Sequence, residues 1–434
     1  MFPGVLTPDS FATIYYAVGQ SDLSSLHTVA FNLFIKYSSF NGQFIYSSTF
    51  LILLVNLIAL YNVIAIFFDG RKQEIILITT GAIFFTPFFG PISVSIWKDS
   101  VYTPLIIIGL TLLFRSCKSI ELNESRRYTI FSVVLISLGS AFRHEGWVVL
   151  ILAGLLFSVI AKFISYKSHV KKIIIVFLTS GMLSVFFQVF LIGASDALPT
   201  PKYDRSLSFL LDLSYVNSNR PELLKPETRN LLNQISSGAS LKSTSSCSSS
   251  SDFFGPGFNA DIAEKNYLKI VDLWFNEVIS DSRETLLASR VCRIKAALPP
   301  IISQMPTDSA WPTIGISQNS LGFSHPRYFD KLYPFGYAWN YLWKINGSFI
   351  GWPGLHIFLV ILILLFTNIG YKLRKHPFTH LLLIFIISRH FVLIFTSASQ
   401  DFRYYYATYF ISLPFFVLYI ANALKSKFPA LFNK

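Results

Sequence analysis

Long apolar runs alternate with short polar segments along most of the chain, and the runs recur at a length suited to a bilayer. A hydrocarbon core of about 30 Å takes roughly 17 to 25 apolar residues as helix. Candidate helices of this kind cover 45–68, 75–96, 100–116, 128–142, 146–164, 173–194, 351–369, 378–397 and 403–424, several of them, 128–142 included, at the short end of the range. Ahead of the first run, residues 10–19 place apolar positions at helical spacing after an Asp-Ser start, which predicts a short helix lying at the interface. Between the sixth and seventh runs the pattern breaks. Residues 195–350 turn polar and contain a Ser-rich stretch, 236–251, that reads as linker or loop. Helical spacing returns over 260–297, with Ile270, Leu273, Trp274, Val278, Leu286, Leu287 and Val291 on recurring faces.

This pattern predicts an all-α polytopic membrane protein of about nine transmembrane helices in four parts. Residues 1–43 form a first outer loop with interfacial helices, and 44–194 hold helices one to six. Residues 195–350 form a large, mainly helical outer region, and 351–434 hold helices seven to nine and a cytosolic tail. Composition agrees: 52% of residues are hydrophobic and only 14% charged, where soluble domains carry about a quarter charged.

Charge sets the orientation. Alternate loops are strongly basic, with Arg71 and Lys72; Arg115, Lys118, Arg126 and Arg127; Lys162, Lys167, Lys171 and Lys172; and Lys372, Arg374 and Lys375. The tail adds Lys425, Lys427 and Lys434, and the acids on these sides are only Asp69, Glu74, Glu121 and Glu124. Basic loops face the cytosol, so the net charge of +13 needs no nucleic-acid partner. The remaining acids, residues 1–43 and the segment 195–350 then face outward. Nine spans with a cytosolic tail require an outside N-terminus, yet residues 1–43 contain no spanning run and no signal peptide. Either a first helix is missing through truncation or a late start codon, or a short N-terminus is translocated. Cys117 falls on the cytosolic side, while Cys247 and Cys292 share the outer region, where they either pair in an oxidising compartment or stay as thiols.

Ionised groups near hydrocarbon are costly, so those at membrane helix ends tend to line a site or a wet cavity. Four polar clusters fall on the outer face: Thr7-Pro8-Asp9-Ser10 with His27 following; Trp97-Lys98-Asp99-Ser100-Val101-Tyr102; Arg143-His144-Glu145-Gly146; and Asp401-Phe402-Arg403-Tyr404-Tyr405-Tyr406. Their convergence predicts one site, against the alternative of separate polar turns. Arg389-His390 sits within a span and must be satisfied by neighbours, as a lipid-phosphate ligand or a structural bridge.

The stretch from Phe2 to Ser10, then Ser21-Asp22 and Leu26-His27-Thr28, resembles the acidic first outer loop of polyprenyl-phosphate-dependent glycosyltransferases of the GT-C superfamily. Lys98-Asp99, Arg143 with Glu145-Gly146, Asp401 with Arg403-Tyr404, and Trp274 followed by Arg290 are similar to later outer-loop motifs of bacterial members. Each motif is short, and the membrane helix that precedes the first outer loop in that family is missing here. The resemblance implies a GT-C-like architecture in a bacterial inner membrane. It also implies sugar transfer from a polyprenyl-phosphate donor to a glycan, lipid or protein acceptor on the periplasmic or extracellular face.

Asp9 is then the candidate base on the acceptor, a role that contributes about 100- to 10,000-fold, with a helix N-cap as its alternative. Lys98, Arg143 and Arg403 are candidates for a clamp on the departing phosphate, with local ion pairs as theirs. Asp99 and Glu145 would hold a divalent cation, or orient the sugar or a basic residue, although no His/Cys ligand cluster accompanies them. His27, His144, Asp401 and Tyr404 complete the expected substrate contacts; a lone histidine at a membrane edge is as readily a hydrogen-bonded structural residue. Tyr102, Tyr404, Tyr405, Tyr406 and Trp97 either stack on sugar faces or anchor the interface. A lipid-linked polysaccharide polymerase or ligase would use similar charges. A secondary transporter would place its polar groups near the midplane in repeated halves, and no repeat is present.

Overall fold

A computed structural model describes residues 6–25, 27–68, 73–86, 89–161, 169–236, 247, 257–280, 283–301, 319–323, 352–397 and 402–427. The fold is helical. Among the described residues the one β pairing is a single parallel bridge between Ser24 and Leu198, which fastens the N-terminal loop to the start of the long polar segment.

Helix α1, Pro8–Ala17, begins where Thr7 caps it: the Thr7 side chain accepts from the Ser10 backbone N–H and Ser10 Oγ accepts from the Thr7 backbone N–H. Pro8 fits this first turn because its missing N–H would have had no helical partner. The cap is therefore Thr7, and Asp9, in the first turn, is not the N-cap that the sequence allowed. Helix α2, Val29–Ser38, packs on α1 and leads into α3, Ile45–Phe67.

The next helices are α4, Gln73–Phe84; α5, Gly90–Ser93; α6, Asp99–Lys118; α7, Leu122–Ala141; α8, Gly146–Ile160; and α9, Val170–Ala194. The polar region after α9 contains α10, Leu207–Asn219; α11, Pro226–Ile235; α12, Ala260–Lys265; α13, Tyr267–Leu273, continued by a π turn over Trp274–Ile279; and α14, Arg283–Arg293. The chain then forms α15, Pro353–Phe366; α16, Asn368–Lys375; α17, Pro377–Thr396; a 3-10 segment, Phe402–Thr408; and α18, Tyr409–Lys427.

Among the described residues, five helical segments are long and apolar enough to cross a membrane: α3, α6, α9, α17 and the stretch Arg403–Leu424. The bent pair α15 and α16 makes a sixth if taken as one span. The other expected runs differ for local reasons. Run 75–96 divides into α4 and α5, with Pro87 in the gap disfavouring helix at the residue before it. Helix α7 extends the run 128–142 backward through Glu124, Arg126 and Arg127, which lowers its mean hydropathy. Helix α8 ends at Ile160 and is only 15 residues long.

Helix α6 is the central post: 78% of its most apolar window is buried, against 33% for α3 and for α9. Small residues bring α7 against it. A methyl at Gly139 would meet the Tyr102 carbonyl at 3.2 Å, and Ser132 Oγ donates to the Gly109 carbonyl at 2.8 Å, the close backbone approach common between membrane helices. Asn56 of α3 braces the N-terminal end of α6, donating from Nδ2 to the Ser100 carbonyl and accepting from the Tyr406 hydroxyl, both at 2.8 Å.

The polar region after α9 has its own small core, including Leu210, Val216, Leu232, Ile235, Ala263, Ile270 and Val278. Cys247 and Cys292 form a disulfide that ties the Ser-rich stretch to α14, the pairing expected of an oxidising compartment. Leu287 and Val291, read at recurring helical spacing, are 65% and 36% exposed, while Ser289, Arg290 and Arg293 point inward. The reason is Asp212 of α10.

Candidate functional site

Three short connections deliver charge to one end of the bundle. Trp97 and Lys98 precede α6, which begins at Asp99; Phe142 to Glu145 form the tight turn from α7 into α8; and Arg403 and Tyr404 open the last span. Burying Asp99, 1% exposed, requires compensation, and two guanidinium groups supply it. Arg143 donates through Nη1 to Asp99 Oδ1 and through Nε to Glu145 Oε1 at 2.6 Å. Arg389 donates through Nη2 to the same Asp99 oxygen at 2.7 Å and through Nε to the Tyr404 carbonyl at 2.9 Å. Its guanidinium lies 4.6 Å from the Tyr102 ring centroid. Arg389 thus bridges Asp99 of α6 and the Tyr404 carbonyl.

Beside this node lies a cleft of only about 20 Å³, lined by Asp9, His27, Phe31, Ile96, Trp97, Lys98, Asp99 and Arg403. An ion pair closes it, Arg403 Nη1 to Asp9 Oδ2 at 2.5 Å. The Arg403 guanidinium also lies over Trp97 and Tyr404, 5.2 and 5.4 Å from the ring centroids. Trp97 Nε1 donates to Thr7 Oγ1 at 2.8 Å, so the residue that caps α1 is fixed to the connection before α6. The Asp9 side chain keeps 48% of its surface exposed, within reach of an arriving molecule. Among the described residues Lys98 is the cation of this site that forms no ion pair, since Arg143, Arg389 and Arg403 are each tied to a carboxylate.

The local field follows from this arrangement. Burial favours the neutral form of Asp9, but Arg403, His27 and Lys98 outweigh it and hold the carboxyl below its ordinary value. Burial pushes His27 down to about 4, with Lys98 adding to the effect and Asp9 opposing it, so the imidazole is neutral at neutral pH. Burial, then Arg143, lowers Lys98. Glu145, despite burial, is drawn down to about 2 by Arg143 and Lys98.

Of the residues singled out in the sequence, Asp9, His27, Lys98, Asp99 and Arg403 line one cleft, and Arg143 and Glu145 stand directly behind it through Asp99. Tyr404 lies beneath the guanidinium groups of both Arg143 and Arg403, each 5.4 Å from its ring centroid. His144 is exposed and near enough to His27 to disfavour its charge. Asp401 lies outside the described residues. Tyr102, Tyr405 and Tyr406 are fully buried and therefore neither anchor an interface nor offer a face to a sugar. Trp97 is 5% exposed and is spent on Thr7 and Arg403. Among the described residues no three His, Cys, Asp or Glu side chains gather as a metal-ligand group. Both carboxylates considered for a cation, Asp99 and Glu145, orient basic residues.

A second charged node was half legible. Trp274 and Arg290 do meet, through a residue the sequence did not single out: Trp274 Nε1 donates to Asp212 Oδ2 at 2.9 Å, and Arg290 Nη2 to the same oxygen at 2.5 Å. Arg293 and Ser289 donate to Asp212 Oδ1. Arg290 also reaches the Phe395 carbonyl at 2.6 Å, which fixes α14 to the end of α17. Asp204 was likewise missed, although burial raises its carboxyl and Lys98 draws it partly back. Its only sequence signal was an acid following a Pro-rich stretch. Comparison of the chain with protein-family models, curated proteins and solved structures finds no match.

Proposed function

We propose that the protein is a membrane glycosyltransferase that moves a sugar from a polyprenyl-phosphate donor to an acceptor hydroxyl at the outer face of a bacterial inner membrane. The supporting observation is the gathering of Asp9, Lys98 and Arg403 in one cleft at the end of an apolar bundle, from positions nearly the whole chain apart. In this reading α4, α7 and α8 complete nine passes of a GT-C-like arrangement, with α1 and α2 on its outer surface.

The acceptor oxygen attacks the anomeric carbon, the carbon–oxygen bond to phosphate breaks, and that bond's electron pair leaves with the phosphate. The acceptor proton passes to Asp9. Lys98 and Arg403 stabilise the charge that grows on the leaving oxygen. Arg143 and Arg389, occupied by Asp99, Glu145 and the Tyr404 carbonyl, position that cationic wall rather than clamp the phosphate. Paired with Arg403, Asp9 is a weak base. A lipid phosphate that draws Arg403 toward itself removes the strongest influence holding the Asp9 carboxyl down, so donor binding strengthens the base.

Mass spectrometry of envelope glycans and glycolipids from cells with and without the gene tests this directly. One sugar missing from a defined glycan in the deletion, restored by the wild-type gene and not by Asp9→Asn, is the expected result. An unchanged glycan profile would remove the proposal.

A further inference from the structure

His27 lines two cavities. One is the cationic cleft; the other is a groove of about 480 Å³ along α1 and α2, lined by Ala12, Tyr15, Tyr16, Gln20, Ser21, Asp22, Ser24, His27 and Asn32. Its size falls within the range of small-molecule sites, and its chemistry is the opposite of its neighbour's. No lysine or arginine is among its lining residues. Lys36 stands over the Tyr16 ring, 4.9 Å from its centroid, without lining the groove. The available groups are a carboxylate, amides, hydroxyls, a neutral imidazole and two tyrosine rings.

A buried group in the groove also lacks a partner. Asn32 is 4% exposed, and its Nδ2 is committed to the Ser24 carbonyl at 3.1 Å. Among the described residues its Oδ1 accepts no hydrogen bond. An orphaned buried acceptor is destabilising, a cost that a ligand hydroxyl would offset. Elsewhere on the rim Tyr15 is already engaged, its hydroxyl bonded to Ser320 Oγ at 3.1 Å.

We propose that this groove is the acceptor subsite and that it takes a neutral, hydroxyl-bearing sugar, with Asn32 Oδ1 accepting from a ring hydroxyl and Asp22 and Gln20 holding others. The proposal rests on the glycosyltransferase reading. It deepens that reading by dividing the two substrates by charge: phosphate toward Lys98 and Arg403, sugar toward the groove that lacks cations, with His27 at the boundary. A phosphorylated acceptor sugar is disfavoured by Asp22 and by the lack of a lysine or arginine among the described lining residues.

The test uses the full chain in lipid nanodiscs free of glycoside detergent, with methyl glycosides as one probe and undecaprenyl phosphate as the other. Ala12 is exposed on α1, so Ala12→Trp fills the groove without disturbing the core, and Ala12→Ser controls for size. Saturable glycoside binding to wild type and Ala12→Ser is expected, weakened roughly tenfold or more in Ala12→Trp, with undecaprenyl phosphate affinity unchanged in all three. Lys98→Ala should show the reverse pattern. No saturable glycoside binding to wild type, or equal affinity in Ala12→Trp, overturns the assignment. Glycoside binding that Ala12→Trp abolishes, in a protein that does not bind undecaprenyl phosphate, would keep the sugar site and remove the transferase reading.

Discussion

Two aspartates in this protein each sit fully buried between two arginines, and they have opposite surroundings. Asp212 is enclosed: Trp274, Ser289, Arg290 and Arg293 occupy its oxygens, and the second positive charge is met by carbonyls near the C-terminal end of α17, where the helix dipole is negative. Asp99 lies beside a cleft, with Lys98 unpaired next to it among the described residues and a further pair, Asp9 with Arg403, at its mouth. The same arrangement of one acid and two guanidinium groups serves as a latch where its surplus charge is satisfied internally. It becomes a candidate site where the surplus faces a cavity.

The sharpest way to break this comparison is at the mouth. Asp9→Asn keeps the shape of α1, whose cap is Thr7, and removes the basicity. Transfer should fall by about 100- to 10,000-fold while the melting temperature of the purified protein stays within a degree or two of wild type. Full activity in a folded variant would leave Asp9 as no more than the partner of Arg403. Asp212→Ala should do the converse. Leaving two guanidinium groups buried without their acid costs roughly 3–5 kcal/mol, read as a lower unfolding temperature, and residual activity should track the folded fraction. Loss of activity at full stability would make Asp212 part of the site and end the distinction.

Arg403→Ala separates clamp from strut with a smaller effect. As a phosphate clamp, its loss weakens undecaprenyl phosphate binding by roughly tenfold, about 1.4 kcal/mol, and Asp9, no longer held down by the guanidinium, becomes easier to protonate. As a strut, donor affinity is unchanged and only stability falls. Titrating wild type and variant with the lipid phosphate, each beside its own melting curve, decides between the two.

The contrast between the nodes also shows what the sequence could reveal. Asp9, ahead of the first run, stood out through the resemblance of its loop, whereas Lys98, Arg143 and Arg403 stood out because charge at the ends of apolar runs is expensive, a cost that applies whatever the tertiary arrangement. Arg389 stood out for the same reason, yet its partner did not: the Asp99 to Arg389 contact joins residues on two different spans, and only packing pairs them. Asp212 was invisible, since an acid in a polar region carries no such signal until a core closes around it. For α14 the apolar spacing pointed to Leu287 and Val291, and the demand of Asp212 for donors turned the other face inward. Span count suffered from a different limit. Hydropathy finds apolar runs but does not see that Pro87 divides one of them or that α7 begins within the charged residues ahead of another.

The smallest expected effect distinguishes the two nodes by pH. His27 in the folded protein titrates near 4, against 6.5 for an ordinary histidine, because burial and Lys98 disfavour its charge. As pH falls below about 6.5 the unfolded chain takes up this proton and the folded protein does not. The contribution to stability is therefore complete above about pH 6.5 and is lost progressively toward about pH 4. Asp9 and Glu145, both held below their ordinary values, lose their contributions only at lower pH. The ionisable members of the other node, Asp212, Arg290 and Arg293, include no histidine. Wild type should thus lose thermal stability between about pH 7 and about pH 5, His27→Gln should lose less, and Asp212→Ala should keep the wild-type slope from a lower starting point. Equal slopes in wild type and His27→Gln would show that the imidazole accepts its proton in the folded state as readily as in water, and that the neutral boundary drawn between the cleft and the groove is wrong.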